Sequence, residues 1–194
     1  IFSAALELFN SQGYHAVSIR NIARKANCSP ATIYNYYRDK EHLYIDLLNR
    51  GFEILLERLQ SCPLAGSPVQ LIRRYAEEYF RFSSDYPHYY DIMFSFPVPK
   101  YLDYLGTEAE EAAFQEKETA LENLKLLTTA MEEATEAGQF KDNFDPSQAA
   151  RSLLGLCHGI ISLQRSGIWA ELNTDFESLY YSAVDNFLRH NFKV

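Results

Sequence analysis

Ser18, Arg20, Ser29, Ala31, Thr32, Tyr34, Asn35, Tyr36 and Lys40 fall in one short stretch, SIRNIARKANCSPATIYNYYRDK, and nearly all of them carry hydrogen-bonding side chains. The chemistry such a set supports is recognition, not bond-making. Guanidinium, amide and phenol groups on a small helix can reach base edges, while hydroxyls and an ammonium can hold phosphates. Ile19, Ile22, Ala23 and Ala26 recur at i, i+3, i+4 and i+7, which predicts a helix with one buried face and Arg20, Asn21, Arg24 and Lys25 opposite it. Asn27 follows where that helix must end, and Asn accepts a left-handed backbone better than other residues with a side chain. Ser29-Pro30 has the form of a second helix start, a hydroxyl to cap free N–H groups and a proline whose missing N–H is harmless there. The second helix, over about residues 30–37, is too short to serve as core. A short polar helix propped by a basic one is what insertion into a DNA major groove requires.

No catalytic pattern accompanies this stretch. The chain has no phosphate-binding glycine loop, nucleophile elbow or metal-spaced histidine pair, so neither enzyme activity nor a metal or cofactor is expected. His15, His42, His88, His158 and His190 are scattered. His158 lies in an apolar stretch, where it is either a buried ring bonded to a carbonyl or a ligand contact. Cys28, Cys62 and Cys157 are far apart and form no zinc or disulfide pattern, which fits a reduced, cytoplasmic protein. No apolar run is long enough to cross a membrane, and none is expected to.

The net charge of −8 excludes a protein that coats nucleic acid nonspecifically, but the charge is unevenly spread. Residues 18–40 carry five basic groups against one acid, a local +4, whereas residues 61–194 carry 11 basic and 20 acidic groups, a local −9. A basic reader on an acidic body binds DNA in one orientation.

The elements that must position this reader are all helices. Residues 1–12 place Phe2, Ala5, Leu6 and Phe9 on one face and stop at Gly13. Asp39 caps a helix over residues 40–60. Lys40 in its first turn opposes the helix dipole, and a phosphate contact is the expected reason. The Cys62-Pro63 to Pro68 segment is the best boundary, giving domains 1–60 and 61–194. A helix over 69–86 ends at Pro87, and Tyr89, Tyr90, Ile92, Met93, Phe94 and Phe96 then crowd eight positions, more than one face of a short helix can bury. Residues 97–107 read as loop. A long helix over 108–137 turns Ala112, Ala113, Leu121, Leu124, Leu127, Met131 and Ala134 inward and stops at Gly138. Asp145-Pro146 opens the next, in which Gly155 and Gly159 suggest that another helix approaches closely. Thr174-x-x-Glu177 reads as a capping box opening the last helix. The two C-terminal helices are apolar enough for either intramolecular core or a four-helix interface between two copies.

The run ANCSPATIYNYYRDKEHLY resembles the DNA-binding motif of the TetR-type transcriptional repressors, with Ser29, Thr32-Ile33-Tyr34, Asn35, Tyr36-Tyr37 and Lys40 in the family's places. Asn27 and Ala31 stand where that family commonly has glycine, and neither disturbs the turn argument. The resemblance is strong over residues 1–60. It implies an all-α fold, with an N-terminal three-helix helix-turn-helix domain and a C-terminal helical bundle for ligand binding and dimerisation. The implied partners are a double-stranded DNA operator, a small-molecule effector and a second copy of the chain. Ser18, Thr32 and Lys40 would hold phosphates; Arg20, Asn35 and Tyr34 or Tyr36 would reach base edges or nearby backbone. The resemblance puts the effector among the central helices, with Tyr79, Phe82, Tyr86, Tyr89, Met93, Phe94, Phe96, Leu127, Met131 and His158 as its expected wall, though a core role accounts for at least half of the aromatics. It puts the dimer interface on the last two helices, at Leu153, Leu156, Gly159, Ile160, Leu163, Tyr180, Val184 and Phe187. The expected function is a repressor on a palindromic operator, released by a small apolar or aromatic effector, with residues 40–60 transmitting the change. The alternative is a helical protein–protein interaction module without DNA binding, which would have no need of the local +4.

Overall fold

The computed structural model describes residues 1–94, 99–141 and 145–193. Among them the chain forms α1 (Phe2–Gln12), α2 (Ile19–Lys25), α3 (Pro30–Tyr34), α4 (Lys40–Gln60), α5 (Pro68–Asp85), α6 (Pro87–Phe94), a 3-10 turn (Tyr101–Tyr104), α7 (Glu110–Glu136), α8 (Pro146–Arg165), α9 (Ile168–Glu171) and α10 (Phe176–Asn191). The all-helical fold class is as expected; the pairing outside helices is an isolated antiparallel bridge between Phe140 and Phe192. Packing groups the chain into Ile1–Leu56 with Tyr86–Leu121, and Glu57–Asp85 with Glu122–Val194. The division expected at residue 60 groups the chain by role; packing returns residues 86–121 to the N-terminal helices, and α4 and α7 each contribute to both units.

In the first unit, α1 buries Ala5, Leu6 and Phe9 and ends at Gly13 with φ 77°. Phe9, Tyr14 and Tyr44 form one aromatic group, with ring centroids 4.7–5.9 Å apart. The Tyr44 hydroxyl donates to the Ile92 carbonyl at 3.2 Å, and the Asn10 amide to the His88 carbonyl at 3.0 Å, so α6 is tied to both α4 and α1. Gly51 sits inside α4 because a Cβ there would come within 2.5 Å of the Met93 sulfur. Residues 101–104, expected as loop, form the 3-10 turn. Its Tyr104 packs with Ile45, Ala109 and Ala113, a contact no local signal announces.

In the second unit, Ile72, Phe82, Met131, Leu153 and Tyr180 are fully buried. The Tyr180 hydroxyl donates to the Ala76 carbonyl at 2.7 Å, joining α10 to α5. Arg58, in the last turn of α4, meets Glu78 at 3.0 Å and Asp85 at 2.6 Å. The rings of Phe140 and Phe192 meet at a tilt, centroids 4.2 Å apart, beside paired backbone that holds residues 191–193 to the α7–α8 link.

Four local expectations are corrected. The capping residue of α10 is Asp175, which accepts the Ser178 N–H at 3.3 Å, because Thr174 lies one position too early to reach it. Helix α3 stops at Tyr34, leaving Tyr36 and Tyr37 in the turn that follows. Leu121, expected inward, is 47% exposed; it lies where α7 passes from one unit to the other. Around Gly155 and Gly159 no atom of the described residues beyond the helix's own nearby backbone and chain neighbours lies within 4 Å of an added Cβ, so the close approach expected there is not made by a described helix of this chain.

Candidate nucleic-acid interface and effector region

The reader is assembled by its caps. The Ser18 hydroxyl accepts the Asn21 N–H and the Asn21 side chain accepts the Ser18 N–H, both at 3.2 Å, a reciprocal box that starts α2. Asn27 takes φ 51°, the left-handed turn its residue type permits. The Ser29 hydroxyl then accepts the Thr32 N–H at 3.1 Å, with Pro30 in the first turn of α3. Ile33 is fully buried and holds α3 by one apolar anchor. Burying a side chain of that size contributes about 2 kcal/mol. Around this anchor Arg20, Ser29, Ala31, Asn35, Tyr34 and Tyr36 are exposed and Thr32 is half-buried; Tyr36 has 74% of its surface free.

Lys40 is held inside the chain. Its ammonium donates to the Tyr14 carbonyl at 3.0 Å and stands 4.1 Å from the Tyr14 ring centroid, and burial lowers its pKa. A cation in the first turn of α4 is therefore balanced by Tyr14, a reason invisible in the sequence because Tyr14 is distant along the chain. Asp39 sits beside it as the expected cap: burial works to raise its pKa, but bonds from the His42 N–H at 2.9 Å and the His42 ring at 2.8 Å win and lower it. The Tyr37 hydroxyl donates to Asp46 at 2.9 Å, which fixes the α3–α4 turn. Lys25 pairs with Glu7, and Arg38 with Glu108.

The expected effector wall is distributed over both units. In the second, Phe82 and Met131 are fully buried, Tyr79 is buried and Leu127 half-buried. The Tyr79 hydroxyl lies 3.4 Å from His158 Nδ1, and burial lowers the His158 pKa, favouring a neutral imidazole. In the first, Met93 is buried, Tyr89 and Phe94 are partly buried, and Tyr86 is exposed. Met93 and Tyr89 line the Gly51 side of α4, and Phe94 meets Phe52 edge-on at 6.0 Å. Phe96 lies outside the described residues. A separate groove of about 310 Å³ runs between the α4–α5 link and α7, lined by Leu64, Leu71, Tyr75, Leu126 and Ala130, none of them in the expected set. Sequence reasoning also missed Glu116, which burial pushes up to about 7 against the opposing pull of Lys100. A lone Glu in a charged helix gives no sign of burial.

The expected interface residues divide. Leu153, Ile160, Tyr180 and Val184 are buried within the second unit itself. They lie in the seam where α8 and α10 pack on each other and on α5. Leu163 is 37% exposed, and Leu156, Gly159 and Phe187 are partly exposed.

The family model for bacterial regulatory proteins of the tetR family matches residues 1–47, and that for the tetracyclin repressor-like C-terminal domain matches residues 72–187. This chain belongs to the TetR family. Among curated TetR-type relatives, the transcriptional regulator RutR of Escherichia coli K12 is 33% identical over 87 residues, 45% of this chain and 41% of RutR. The repressor KstR of Mycolicibacterium smegmatis is 35% identical over 71 residues, 36% of this chain and 35% of KstR. These alignments thus span less than half of each relative's length. Among solved structures, PfmR of Thermus thermophilus superposes with a TM-score of 0.75 at 18% identity, covering 97% of this chain and 96% of PfmR. FadR of Bacillus subtilis, solved with stearoyl-CoA, gives 0.74 at 19% identity, covering 96% and 95%. Both share the TetR fold. The named relatives are transcriptional regulators and not enzymes. Among the described residues no His, Cys, Asp and Glu cluster could hold a metal, and no helix is long and apolar enough to cross a membrane.

Proposed function

We propose that this TetR-family chain is a dimeric repressor that reads a palindromic operator and is released by a small apolar effector. The observation that carries the reading is α3 with the turn that follows it: one buried anchor, Ile33, beneath an outward set of Tyr34 on the helix and Asn35 and Tyr36 at its end, capped at its start by Ser29. A helix so built has its polar groups free for base edges, and two copies on a two-fold axis demand two half-sites on one face of the duplex. Arg20, Asn35 and Tyr34 or Tyr36 reach bases or nearby backbone; at Ser18 a phosphate oxygen takes the hydroxyl proton now given to Asn21, and at Thr32 it replaces the partner hydroxyl of Ser29. Lys40 contributes charge from its seat on Tyr14. A reader of chromosomal DNA acts in the cytoplasm.

Dimerisation uses the outer face of α8 and α10, where Leu156, Gly159, Leu163 and Phe187 keep exposed surface. The effector is an apolar molecule with a polar end, for which Tyr79 and a neutral His158 are the polar fixings and Phe82 and Met131 the apolar ones. The stearoyl-CoA in the B. subtilis FadR structure supports a fatty acyl compound as the first to try. Helix α4 runs from the reader's unit into the other, so it carries the change, with a coupling of about 1–3 kcal/mol.

Selection of random genomic fragments at two salt concentrations tests the reading. A palindrome whose affinity falls steeply with salt is expected; no enrichment at either salt sinks it. Operator affinity that stays constant under saturating stearoyl-CoA removes the acyl effector.

A further inference from the structure

The reader's cations are unequally available. Lys25 is paired with Glu7, Lys40 is committed to Tyr14 and Arg38 is paired with Glu108, while Arg20 and Arg24 have no ion-pair partner among the described residues. The Arg38–Glu108 pair differs from a stray surface contact in how both ends are mounted. Arg38 stands in the α3–α4 turn between Tyr37, tied to Asp46 at 2.9 Å, and Asp39, which caps α4. Glu108 stands in an equally fixed turn. The Thr107 hydroxyl donates to the Tyr104 carbonyl at 2.8 Å and accepts the Ala109 N–H at 3.2 Å, the Gly106 N–H donates to Glu110 at 2.7 Å, and Tyr104 and Ala109 are buried. The two side chains remain 57% and 69% exposed. A pair this open adds little to stability, so a DNA phosphate can displace the carboxylate.

We propose that Arg38 is a phosphate-contacting residue of the reader and that Glu108 is its built-in competitor, a carboxylate that occupies the guanidinium until DNA replaces it. The local +4 of the motif is thereby partly masked by an acid from outside it, which restrains binding to arbitrary sequence and leaves the exposed α3 face to decide where the protein settles. Because Glu108 belongs to the segment leading into α7, any movement of that segment changes how much of Arg38 is available. The inference rests on the DNA-reading role proposed above.

The test compares wild type, Arg38→Gln, Glu108→Gln and the double variant on duplex DNA of random sequence and on the fragments selected from it, between about 50 and 200 mM salt. Glu111→Gln serves as a control for simple loss of negative charge, and matched circular dichroism establishes that each variant is folded. Arg38→Gln is expected to weaken binding and to flatten the log–log salt slope by about 0.9, the value of one phosphate. Glu108→Gln is expected to tighten binding about two- to fivefold, and that gain should vanish in the Arg38→Gln background. An unchanged slope in Arg38→Gln overturns the phosphate contact. A Glu108→Gln gain that persists without Arg38, or that Glu111→Gln reproduces, overturns the competitor. Should no variant bind DNA at any salt, the DNA-reading role fails and this inference goes with it.

Discussion

The reader and the α8–α10 pair are both helical pairs written in apolar spacing, yet their side chains were legible to different degrees. In the reader, Ser18 and Ser29 cap backbone groups a few residues away and Asn27 takes the left-handed turn with its own backbone, so local chemistry fixes where α2 ends and α3 begins. Of the positions the spacing names, Ile19, Ile22 and Ala23 are buried and Ala26 is half-buried, while Ile33 joins them from α3. In α8 and α10 apolar residues lie on more than one side. Leu153, Tyr180 and Val184 went inward while Leu163 stayed partly open, although all four read alike in sequence. The difference teaches that capping chemistry reports itself locally, whereas the choice between two apolar faces belongs to whatever packs against them.

The strongest challenge to that contrast is a pair of truncations on α8. Leu153→Ala leaves a cavity in the second unit and is expected to cost about 2–5 kcal/mol in urea unfolding. Leu163→Ala should change the chain's own stability by no more than about 0.5 kcal/mol and should weaken self-association in sedimentation instead. Equal losses in unfolding would erase the distinction between the two faces. Next in size is Arg58→Ala, which leaves the mostly enclosed Glu78 to the exposed Arg81 and is expected to cost about 2 kcal/mol by thermal unfolding. Removing the exposed Lys125 from its Glu122 pair should cost almost nothing.

Within the reader's own unit, Glu116 offers a pH test of a property that only packing creates. Burial pushes its carboxyl up to about 7, with Lys100 opposing. Between about pH 4.5 and 7 the native state keeps a proton that the unfolded chain has released, so this contribution is fully present below pH 4.5 and is lost as pH rises through 7. Unfolding followed at several pH values should show stability falling across that window in wild type and a flatter profile in Glu116→Gln. A parallel pair of profiles would mean that Glu116 is solvated. The smallest effects belong to the local devices. Ser29→Ala is expected to cost about 1 kcal/mol, Asn27→Ala about the same, and Asn27→Gly close to nothing, since only the left-handed backbone is at stake. A larger loss for Asn27→Gly would show that its side chain, not its backbone tolerance, holds the turn.

Taken alone, the sequence determined the helical class, the order of the main helices, the caps at Ser29 and Asp39 and the left-handed turn at Asn27. Each follows from periodicity, or from hydrogen bonds closed within a few residues, so no distant neighbour is needed. It also placed Tyr34, Asn35 and Tyr36 on the surface, because a helix as short as α3 can bury little beyond Ile33. Only the tertiary structure decided that Lys40 rests on Tyr14, that Arg38 meets Glu108, that Tyr104 closes over Ile45, and that Glu116 is partly buried. It likewise decided which apolar residues of α8 and α10 became core. These outcomes depend on segments brought together from far along the chain. Burial, ion pairing and a shifted pKa are properties of the neighbours a side chain acquires, and a residue's own type does not name them.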